Sequence, residues 1–310
     1  VEELGYGCAG ISQFVTANSG ASVPMLIAGT HEQKEKHWRE LCAGDEPKFA
    51  AFCMTEPEAG SDLAGLRTKA VRRGDKYILN GLKHFITNGG VASLYIVFAT
   101  TDRSKGYKGI SAFIVPRDAG VKIGKKEDKM GQRAGSVTEV IFEDVEVPAE
   151  DRIGEEGQGF YIMMKTLDAG RSLASSLAIG VARRAFDEAR RYTKERIQFG
   201  KPIAANQYIQ FKFADMYTDI SAGRLLNWYA CWLFSQGKPN RKEASIAKAF
   251  CTDAAMRITT EALQMFGGYG YMKEYPMEKL MRDAKLFQIY EGTNEIQRVI
   301  AAREILGKIT

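Results

Sequence analysis

The stretch Gly74-Asp75-Lys76-Tyr77-Ile78-Leu79-Asn80-Gly81 sets a short run of strand-forming residues between two turn signals. Gly-Asp precedes the run, and Asn-Gly, the dipeptide most typical of a tight hairpin, follows it. Similar runs occur at 94–100, 109–115 and 139–147, and in the last of them Val and Phe alternate with acidic residues. Short strands with glycine-rich turns and no helix between them predict an antiparallel β-barrel or β-sandwich over residues 49–159.

Helical periodicity flanks this block on both sides. Residues 1–48 repeat apolar positions at helical spacing but are few for a domain, so we expect an N-terminal helical domain that is incomplete. Residues 160–310 return to a period of about 3.6 residues, with breakers such as Gly200-Lys201-Pro202 and Gly237-Lys238-Pro239 between the helices. This pattern predicts a C-terminal four-helix bundle with short antiparallel connections and a terminal helix. The fold class is therefore predicted as α+β multidomain.

The composition argues against several classes of function. The chain has 310 residues, 45% of them hydrophobic and 26% charged, which is typical of a globular protein. No apolar run reaches the roughly 18–20 residues of a membrane span, so we expect none. The net charge of +5 includes no block of Lys and Arg, so nucleic acid is not expected as a partner. Five cysteines without a CxxC pair predict free thiols, and three histidines, with His31 and His37 six apart, predict no metal site.

The usual dinucleotide-binding motif is absent from the sequence. FAD is often held by a GxGxxG loop between a strand and a helix. The glycine-rich stretches 154–159 and 267–270 have neither that spacing nor that context. Walker A and nucleophile-elbow patterns are also absent. A bound nucleotide therefore requires another architecture.

Four further segments occur in a specific order and separation. They are Cys53-Met54-Thr55-Glu56-Pro57-Glu58-Ala59-Gly60-Ser61-Asp62, Phe85-Ile86-Thr87-Asn88-Gly89, Gln264-Met265-Phe266-Gly267-Gly268-Tyr269-Gly270 and Tyr290-Glu291-Gly292-Thr293. Together they resemble the acyl-CoA dehydrogenase family, closest to its short- and medium-chain branch, over essentially the whole chain. In that family several more helices precede the position of Val1. The resemblance implies FAD on a β-barrel domain between two helical domains, in a homotetramer that is a dimer of dimers.

The resemblance also implies which residues bind FAD. A Thr-Glu-Pro-x-x-Gly-Ser loop offers hydroxyls and free amides to the polar edge of the flavin, although such a loop is often only a connection. The implied contacts in these two loops are Met54, Thr55, Ser61, Phe85 and Thr87. Those implied for the FAD of the neighbouring subunit are Arg196, Phe199, Gln264 and Gly268, and Gln207 and Thr293 complete the set. Arginine suits a diphosphate, but a cation at a helix C-terminus is also explained by the helix dipole.

The chemistry that the resemblance implies needs a strong base. An acyl thioester α-proton is too weakly acidic for a carboxylate in water, so the base must lie in a dry pocket that also stabilises the enolate. Glu291 lies at a break between two predicted helices, from which it can point into a pocket, whereas a lone Glu-Gly is usually a solvated turn. By resemblance, Glu291 removes the α-proton while FAD takes the β-hydride. Some branches carry the base on the first bundle helix instead, at the position of Gly170, which has no side chain.

The implied substrate contacts are Ser61, Asp168, Arg171, Tyr290 and Gly292. Asp168 is implied at the pantetheine of CoA and Arg171 beside Glu291, although two residues three apart on a helix also form ordinary ion pairs. The helix expected to line the acyl pocket, at 8–19, contains no Lys or Arg. An ω-carboxylate would lack a counter-charge there, so we expect a monocarboxylic, short- to medium-chain acyl group.

Three functions remain open at this stage. The first is dehydrogenation of fatty acyl-CoA to trans-2-enoyl-CoA, with electrons passed to electron-transferring flavoprotein, in the mitochondrial matrix or a bacterial cytoplasm. The second is an acyl-CoA oxidase or enoyl-CoA reductase on the same scaffold. The third is a non-catalytic acyl-CoA-binding assembly subunit, against which Glu291, Thr55 and Thr87 argue. The sequence does not separate the first two.

Overall fold

The computed structural model describes residues 1–307. These residues divide into two compact units. The sheet unit comprises Gln13–Asp128 and Ala134–Leu167. The helical unit comprises Val1–Ser12, Lys129–Arg133 and the described residues from Asp168 onward. These boundaries differ from the predicted division at residues 48 and 159, because two long helices contribute to both units.

Two helices open the chain, α1 (Glu2–Ala28) and α2 (His31–Cys42). Helix α1 is interrupted near its start, where Cys8 has extended backbone angles. Helix α2 begins at a capping box: the Thr30 hydroxyl accepts from the Gln33 amide at 3.2 Å, and Gln33 Oε1 accepts from the Thr30 amide at 3.0 Å. A cap of this kind satisfies two amides that the helix itself leaves unpaired.

Eight strands form the sheet of the sheet unit. They are β1 (Ala50–Cys53), β2 (Lys69–Arg73), β3 (Lys76–Thr87), β4 (Leu94–Thr100), β5 (Ile110–Pro116), β6 (Lys122–Lys126), β7 (Val137–Pro148) and β8 (Arg152–Ile153). Their order is β6-β7-β3-β2-β4-β5-β8, and β1 pairs with β4. All of β4 is buried, and alternate residues along it contribute to two separate apolar cores. The sheet is therefore covered on both faces.

The predicted barrel is corrected to an open, mixed sheet. Among the described residues, the end strands β6 and β8 do not pair with each other. Strands β1 and β4 run parallel, and so do β2 and β4 where Lys69 meets Thr100. Parallel neighbours need a long connection, and the β2–β3 hairpin supplies it between β1 and β4. The alternating pattern shows which residues face a core, but it carries no information on strand direction or closure.

The turn signals around β3 have opposite outcomes. Gly74 and Asp75 do form the hairpin turn between β2 and β3. The hairpin expected at Asn80-Gly81 is wrong, because β3 continues through both residues and the register with β7 shifts at Gly81 instead. A side chain at Gly81 would meet the Thr68 hydroxyl at 2.5 Å. Here the glycine serves a close approach of two strands rather than a turn.

Helices dominate the helical unit. They are α3 (Gly159–Glu195), α4 (Gln207–Ser235), α5 (Arg241–Phe266), α6 (Met277–Phe287) and α7 (Asn294–Leu306), and a two-residue hairpin of β9 (Ile197–Gln198) and β10 (Lys201–Pro202) joins α3 to α4. Four of them, α3 to α6, share one apolar core, and α5 packs against α4, α6 and α7. Helix α6 ends three residues before the predicted boundary at 290. None of the helices in residues 1–307 is long and apolar enough to cross a membrane.

Candidate active site

Glu291 lies in the short connection between α6 and α7. Its backbone is left-handed, with φ of 54°, and Gly292 follows with φ of 82°. A left-handed conformation costs a non-glycine residue on the order of 1 kcal/mol, so its surroundings must hold it. Gln297 Nε2 donates to the carbonyl oxygens of both residues at 3.0 Å. Thr293 caps α7 by accepting from the Ile296 amide at 3.3 Å, as a helix N-cap does.

The carboxylate of Glu291 lies against Gly170 of α3. A side-chain carbon at position 170 would come within 2.4 Å of Glu291 Oε2 and 3.2 Å of its Cδ. Gly170 therefore leaves the volume that this carboxylate occupies. The two positions at which the family is expected to carry its base converge on one place in the helical unit.

Burial and charge act on Glu291 in opposite directions. Burial raises the pKa of the Glu291 carboxyl above its ordinary value, while the charges of Arg171 and Lys248 lower it without cancelling the rise. Arg171 is buried, and its Nη1 donates to Asp168 Oδ1 at 2.6 Å. Burial lowers the pKa of Arg171, which Asp168 and Glu291 oppose. The Asp168–Arg171 ion pair, which was the alternative to a substrate role, is therefore present, and Arg171 lies close enough to Glu291 to lower the pKa of its carboxyl.

Tyr290 and Gly292, two of the predicted substrate contacts, flank Glu291. The Tyr290 ring is half-buried and lies 5.7 Å from the ring of Phe287, at the edge of the helical core. Burial and the charge of Glu291 raise the pKa of the Tyr290 hydroxyl, so it stays protonated. An aromatic ring beside the carboxylate limits water access, which is what a base for C–H abstraction needs.

Lys248 is the site residue that sequence reasoning missed. It lies on α5 and is fully buried, and its Nζ donates to the Gly292 carbonyl at 2.7 Å and to Asn294 Oδ1 at 2.9 Å. Burial lowers the pKa of Lys248 to about 8, against the charges of Glu291 and Asp253. The sequence carried no signal for it, because its two acceptors lie 44 and 46 residues further along the chain.

The first predicted flavin loop is fixed to strand β3 of the sheet unit. Lys83 Nζ donates to Glu56 Oε1 at 2.8 Å and to the Met54 carbonyl at 3.1 Å. The His84 amide donates to the Thr55 carbonyl at 2.8 Å. The loop around Thr55 is thereby held beside the start of the second predicted flavin segment. Sequence reasoning assigned no role to the Glu56–Lys83 pair.

Glu56 is saturated with hydrogen bonds. Besides Lys83, it accepts from the Arg67 amide at 2.5 Å, the Thr68 amide at 3.0 Å and the Thr68 hydroxyl at 2.6 Å. Burial alone would raise the pKa of Glu56, but Lys83 and these donors hold it below its usual value. A buried carboxylate with this many donors is a rigid anchor.

The second predicted flavin segment exposes an aromatic ring. Phe85 is 60% exposed, and its backbone is left-handed with φ of 57°. Its ring stacks on His84, with centroids 4.0 Å apart. Thr87 is half-buried at the end of β3, and Ser61 is exposed in the first loop. An accessible ring face with hydroxyls and fixed backbone groups fits the isoalloxazine of FAD, which has a flat apolar body and a polar edge.

The residues implied at a neighbouring subunit's FAD lie on the helical unit. Phe199 is fully exposed at the tip of the β9–β10 hairpin, with φ of 52°. The Arg196 guanidinium lies 5.4 Å from the centroid of the Tyr269 ring, beside the turn that carries Gly268. Gln207, Gln264 and Gly268 are exposed. These positions are available to a ligand or to another subunit.

One group of three side chains in the described residues has the composition of a metal site. His84, Glu127 and Glu139 offer ligand atoms within 4.8 Å of one another. His84 Nε2 already lies 3.0 Å from Glu127 Oε1, and Lys125 Nζ lies 3.1 Å from Glu127 Oε2. The lysine competes with a cation for the same carboxylate, and the absence of a metal stays a prediction.

Comparisons with known proteins agree with the resemblance. The model of the acyl-CoA dehydrogenase middle domain matches residues 51–145, and that of the C-terminal domain matches residues 157–306. The short-chain specific acyl-CoA dehydrogenase of Megasphaera elsdenii is 49% identical over 309 residues, which are 99% of this chain and 80% of that protein.

Two solved structures are similar to the whole chain. The butyryl-CoA dehydrogenase structure from Megasphaera elsdenii has a TM-score of 0.96 at 49% identity and covers 98% of this chain and 80% of its own. A chain in a structure of the electron-transferring flavoprotein of Acidaminococcus fermentans has a TM-score of 0.96 at 47% identity, covering 99% and 81%.

Proposed function

Because the chain belongs to the acyl-CoA dehydrogenase family, we propose that it oxidises short-chain fatty acyl-CoA to trans-2-enoyl-CoA with Glu291 as the base. It is an FAD-dependent oxidoreductase of that family. The observation that carries the proposal is the Glu291 carboxylate, which lies against Gly170 with its pKa raised by burial. A carboxylate whose pKa is closer to that of a C–H acid accepts the proton more readily than a solvated one.

The side chains around Glu291 have separable tasks. A carboxylate oxygen of Glu291 takes the α-proton, and the Tyr290 ring limits access of water. Arg171, fixed by Asp168, supplies a permanent positive charge that keeps Glu291 ionised before the substrate binds. The acceptor for the β-hydride would be supplied by bound FAD. The proposed contacts of the CoA ester are Ser61, Asp168, Arg171, Tyr290 and Gly292.

FAD binding is proposed at the two loops of the sheet unit and, from a neighbouring subunit, at the exposed positions of the helical unit. The loop contacts are Met54, Thr55, Ser61, Phe85 and Thr87, and the others are Arg196, Phe199, Gln207, Gln264, Gly268 and Thr293. Support for the first set is the exposed Phe85 ring beside a loop that the Glu56–Lys83 pair holds rigid. Support for the second is the full exposure of Phe199.

A homotetramer, built as a dimer of dimers, is the proposed assembly. Helix α4 exposes large apolar side chains over its whole length, and patches of this kind mark interfaces. They are Tyr208, Phe211, Tyr217, Leu225, Trp228, Tyr229, Trp232 and Phe234. Light scattering of the purified protein would measure four times the 34.4 kDa chain mass if this assignment holds.

We make four more detailed proposals, which concern the length of the acyl chain of the substrate, the electron acceptor, the compartment and the division into domains. Similarity to a short-chain specific enzyme and to a chain from an electron-transferring flavoprotein structure favours a short acyl chain and that flavoprotein as acceptor. The relatives named are bacterial, which favours a bacterial cytoplasm. We retain the division into residues 1–48, 49–159 and 160–310, with an antiparallel bundle in the last, as a proposal.

The test is anaerobic bleaching of the flavin by butyryl-CoA. The wild-type protein should be yellow and should bleach faster with butyryl-CoA than with octanoyl-CoA. Glu291→Gln should retain the flavin spectrum but bleach about 1000-fold more slowly, since it lacks a general base. Bleaching of this variant at the wild-type rate would overturn the assignment of the base. Rapid reoxidation of the reduced wild type by air would favour an oxidase.

A further inference from the structure

Lys248 is a buried cation whose two hydrogen-bond acceptors are uncharged. No carboxylate lies within ion-pair distance of its ammonium in the described part of the chain, and its two acceptors are uncharged oxygens, the Gly292 carbonyl and Asn294 Oδ1. Asn294 is itself fixed, because its Nδ2 donates to Thr252 at 2.8 Å and to Asp253 at 2.7 Å. Burying a charge that has only neutral acceptors is costly. We therefore expect this ammonium to have a function that offsets the cost.

The acceptors of Lys248 connect it to the base. Gly292 follows Glu291 directly, and both residues have left-handed backbones. Lys248 and Gln297 both donate to the Gly292 carbonyl, at 2.7 Å and 3.0 Å. The peptide that follows Gly292 is therefore held by two donors, and the peptide that follows Glu291 is held by Gln297, whose Nε2 also donates to the Glu291 carbonyl at 3.0 Å. These donors restrict rotation of the backbone that carries Glu291.

The charges around Lys248 come from several elements. Arg171 of α3 repels its proton, and Glu291 in the connection, Asp253 of α5 and Glu295 of α7 attract it. Asp253 is already engaged by Arg298 at 2.6 Å and Gln288 at 2.6 Å. Among these carboxylates, Glu291 acts most strongly on the charge of Lys248.

We propose that Lys248 is a positioning residue for proton abstraction: it holds the Glu291-Gly292 turn in its left-handed form and places a positive charge behind the base. This inference rests on the proposed role of Glu291. Donation and charge are separable tasks. Glutamine can still donate to an oxygen but carries no charge, while arginine keeps a charge that does not titrate in the working range.

Titration of Lys248 gives the proposal a measurable signature. Because its pKa is about 8, the wild-type protein loses the charge behind Glu291 as the pH rises through that value. Glu291 then becomes a stronger base, so the bleaching rate constant should rise a few-fold above about pH 8, in addition to the rise at lower pH when Glu291 itself ionises.

The experiment is stopped-flow bleaching of the holoenzyme by butyryl-CoA between pH 6 and pH 10. We expect Lys248→Arg to lose the second rise. The acid limb of the profile is the rise in rate constant at low pH that reports ionisation of Glu291. Lys248→Gln should move the midpoint of this limb to a pH about one unit higher. The matched control is Lys242→Gln, an exposed lysine of the same helix that pairs with Glu243 at 3.1 Å, and its profile should equal that of the wild type.

The outcomes separate this inference from the proposed function. If Lys248→Arg keeps the second rise, or if Lys248→Gln leaves the acid limb unmoved, the positioning role is wrong while Glu291 remains the base. Should Lys248→Gln fail to fold, the comparison of Lys248→Arg with the wild type decides alone. If Glu291→Gln bleaches normally, the proposed function fails first.

Discussion

Each of the two units contains a fully buried lysine, and the two lysines differ in how their buried charge is stabilised. Lys83 of the sheet unit meets a carboxylate directly, Glu56, at 2.8 Å. Lys248 of the helical unit meets only neutral oxygens, and the carboxylates that act on it are further away. Both are fully shielded from solvent. Burial therefore lowers the pKa of both, but only Lys83 has an opposing charge in contact.

The difference shows what each charge is for. The charge of Lys83 is neutralised by Glu56 in direct contact. The Glu56–Lys83 pair, which we call the clamp, joins a loop to strand β3, and its electric field at other residues is weak. The Lys248 charge is left unneutralised, so its field extends to Glu291. A contact ion pair stabilises a conformation, whereas an unpaired buried charge changes the acidity of its neighbours.

Breaking the clamp should have the largest effect. Lys83→Met leaves the Glu56 carboxylate buried without its cation, which costs about 3–5 kcal/mol. The free energy of unfolding, measured with urea, should fall by that amount, and the protein should lose FAD on dialysis. Lys76→Met, which removes an exposed pair from the same strand, should cost less than about 1 kcal/mol. Equal losses in the two variants would show that the buried pair has no special role.

The second prediction concerns the pH dependence of stability. Lys248 has a pKa of about 8 in the folded chain and about 10.4 when unfolded. Between these values the unfolded chain binds more protons, so the free energy of unfolding should rise with pH, by on the order of 3 kcal/mol in total. Below pH 8 both states are protonated, and the contribution is constant. Relative to Lys248→Met, the wild type should gain stability across this window, and parallel curves would refute it.

The smallest effect is expected from moving the base while both lysines stay in place. Gly170→Ala puts a methyl group where Glu291 Oε2 lies 2.4 Å away, so the carboxylate must shift. We expect the rate of bleaching by butyryl-CoA to fall about 100-fold, equivalent to about 2.7 kcal/mol. Gly7→Ala, at a helical glycine with open space around it, is the control. An unchanged rate in Gly170→Ala would show that the carboxylate has room elsewhere.

Local signals in the sequence identified neither of these buried lysines. Glu291 was assigned by resemblance, because Tyr-Glu-Gly-Thr occurs together with three other segments of the family; a Glu-Gly pair alone is usually a solvated turn. Glu56 and Lys83 are 27 residues apart, and Lys248 and Gly292 are 44 apart. No periodicity in one chain reveals such partners. A buried lysine looks like a surface lysine until the fold is known.

The sheet shows the same limit. The Gly74-Asp75 turn was predicted correctly because a turn depends on the residues that form it. Asn80-Gly81 carries an equally strong turn signal, yet pairing with β7 overrides it: Asn80 Nδ2 donates to Asp144 Oδ1, and the Asp144 amide donates to Asn80 Oδ1. Whether the sheet closes, and whether β1 and β4 run parallel, depends on the order of the strands. The alternation of apolar and polar residues does not encode that order.

The contact between Glu291 and Gly170 constrains how such a chain can evolve. A carboxylate introduced on α3 at position 170 would compete with Glu291 for the same volume, and the two negative charges would repel each other. A second carboxylate at this place is therefore unfavourable for as long as Glu291 is present. Transfer of the base from the α6–α7 connection to α3 requires two substitutions. The intermediate with only one of them has either two crowded carboxylates or no base. The ancestry of the base should consequently be visible as a paired exchange at these two positions.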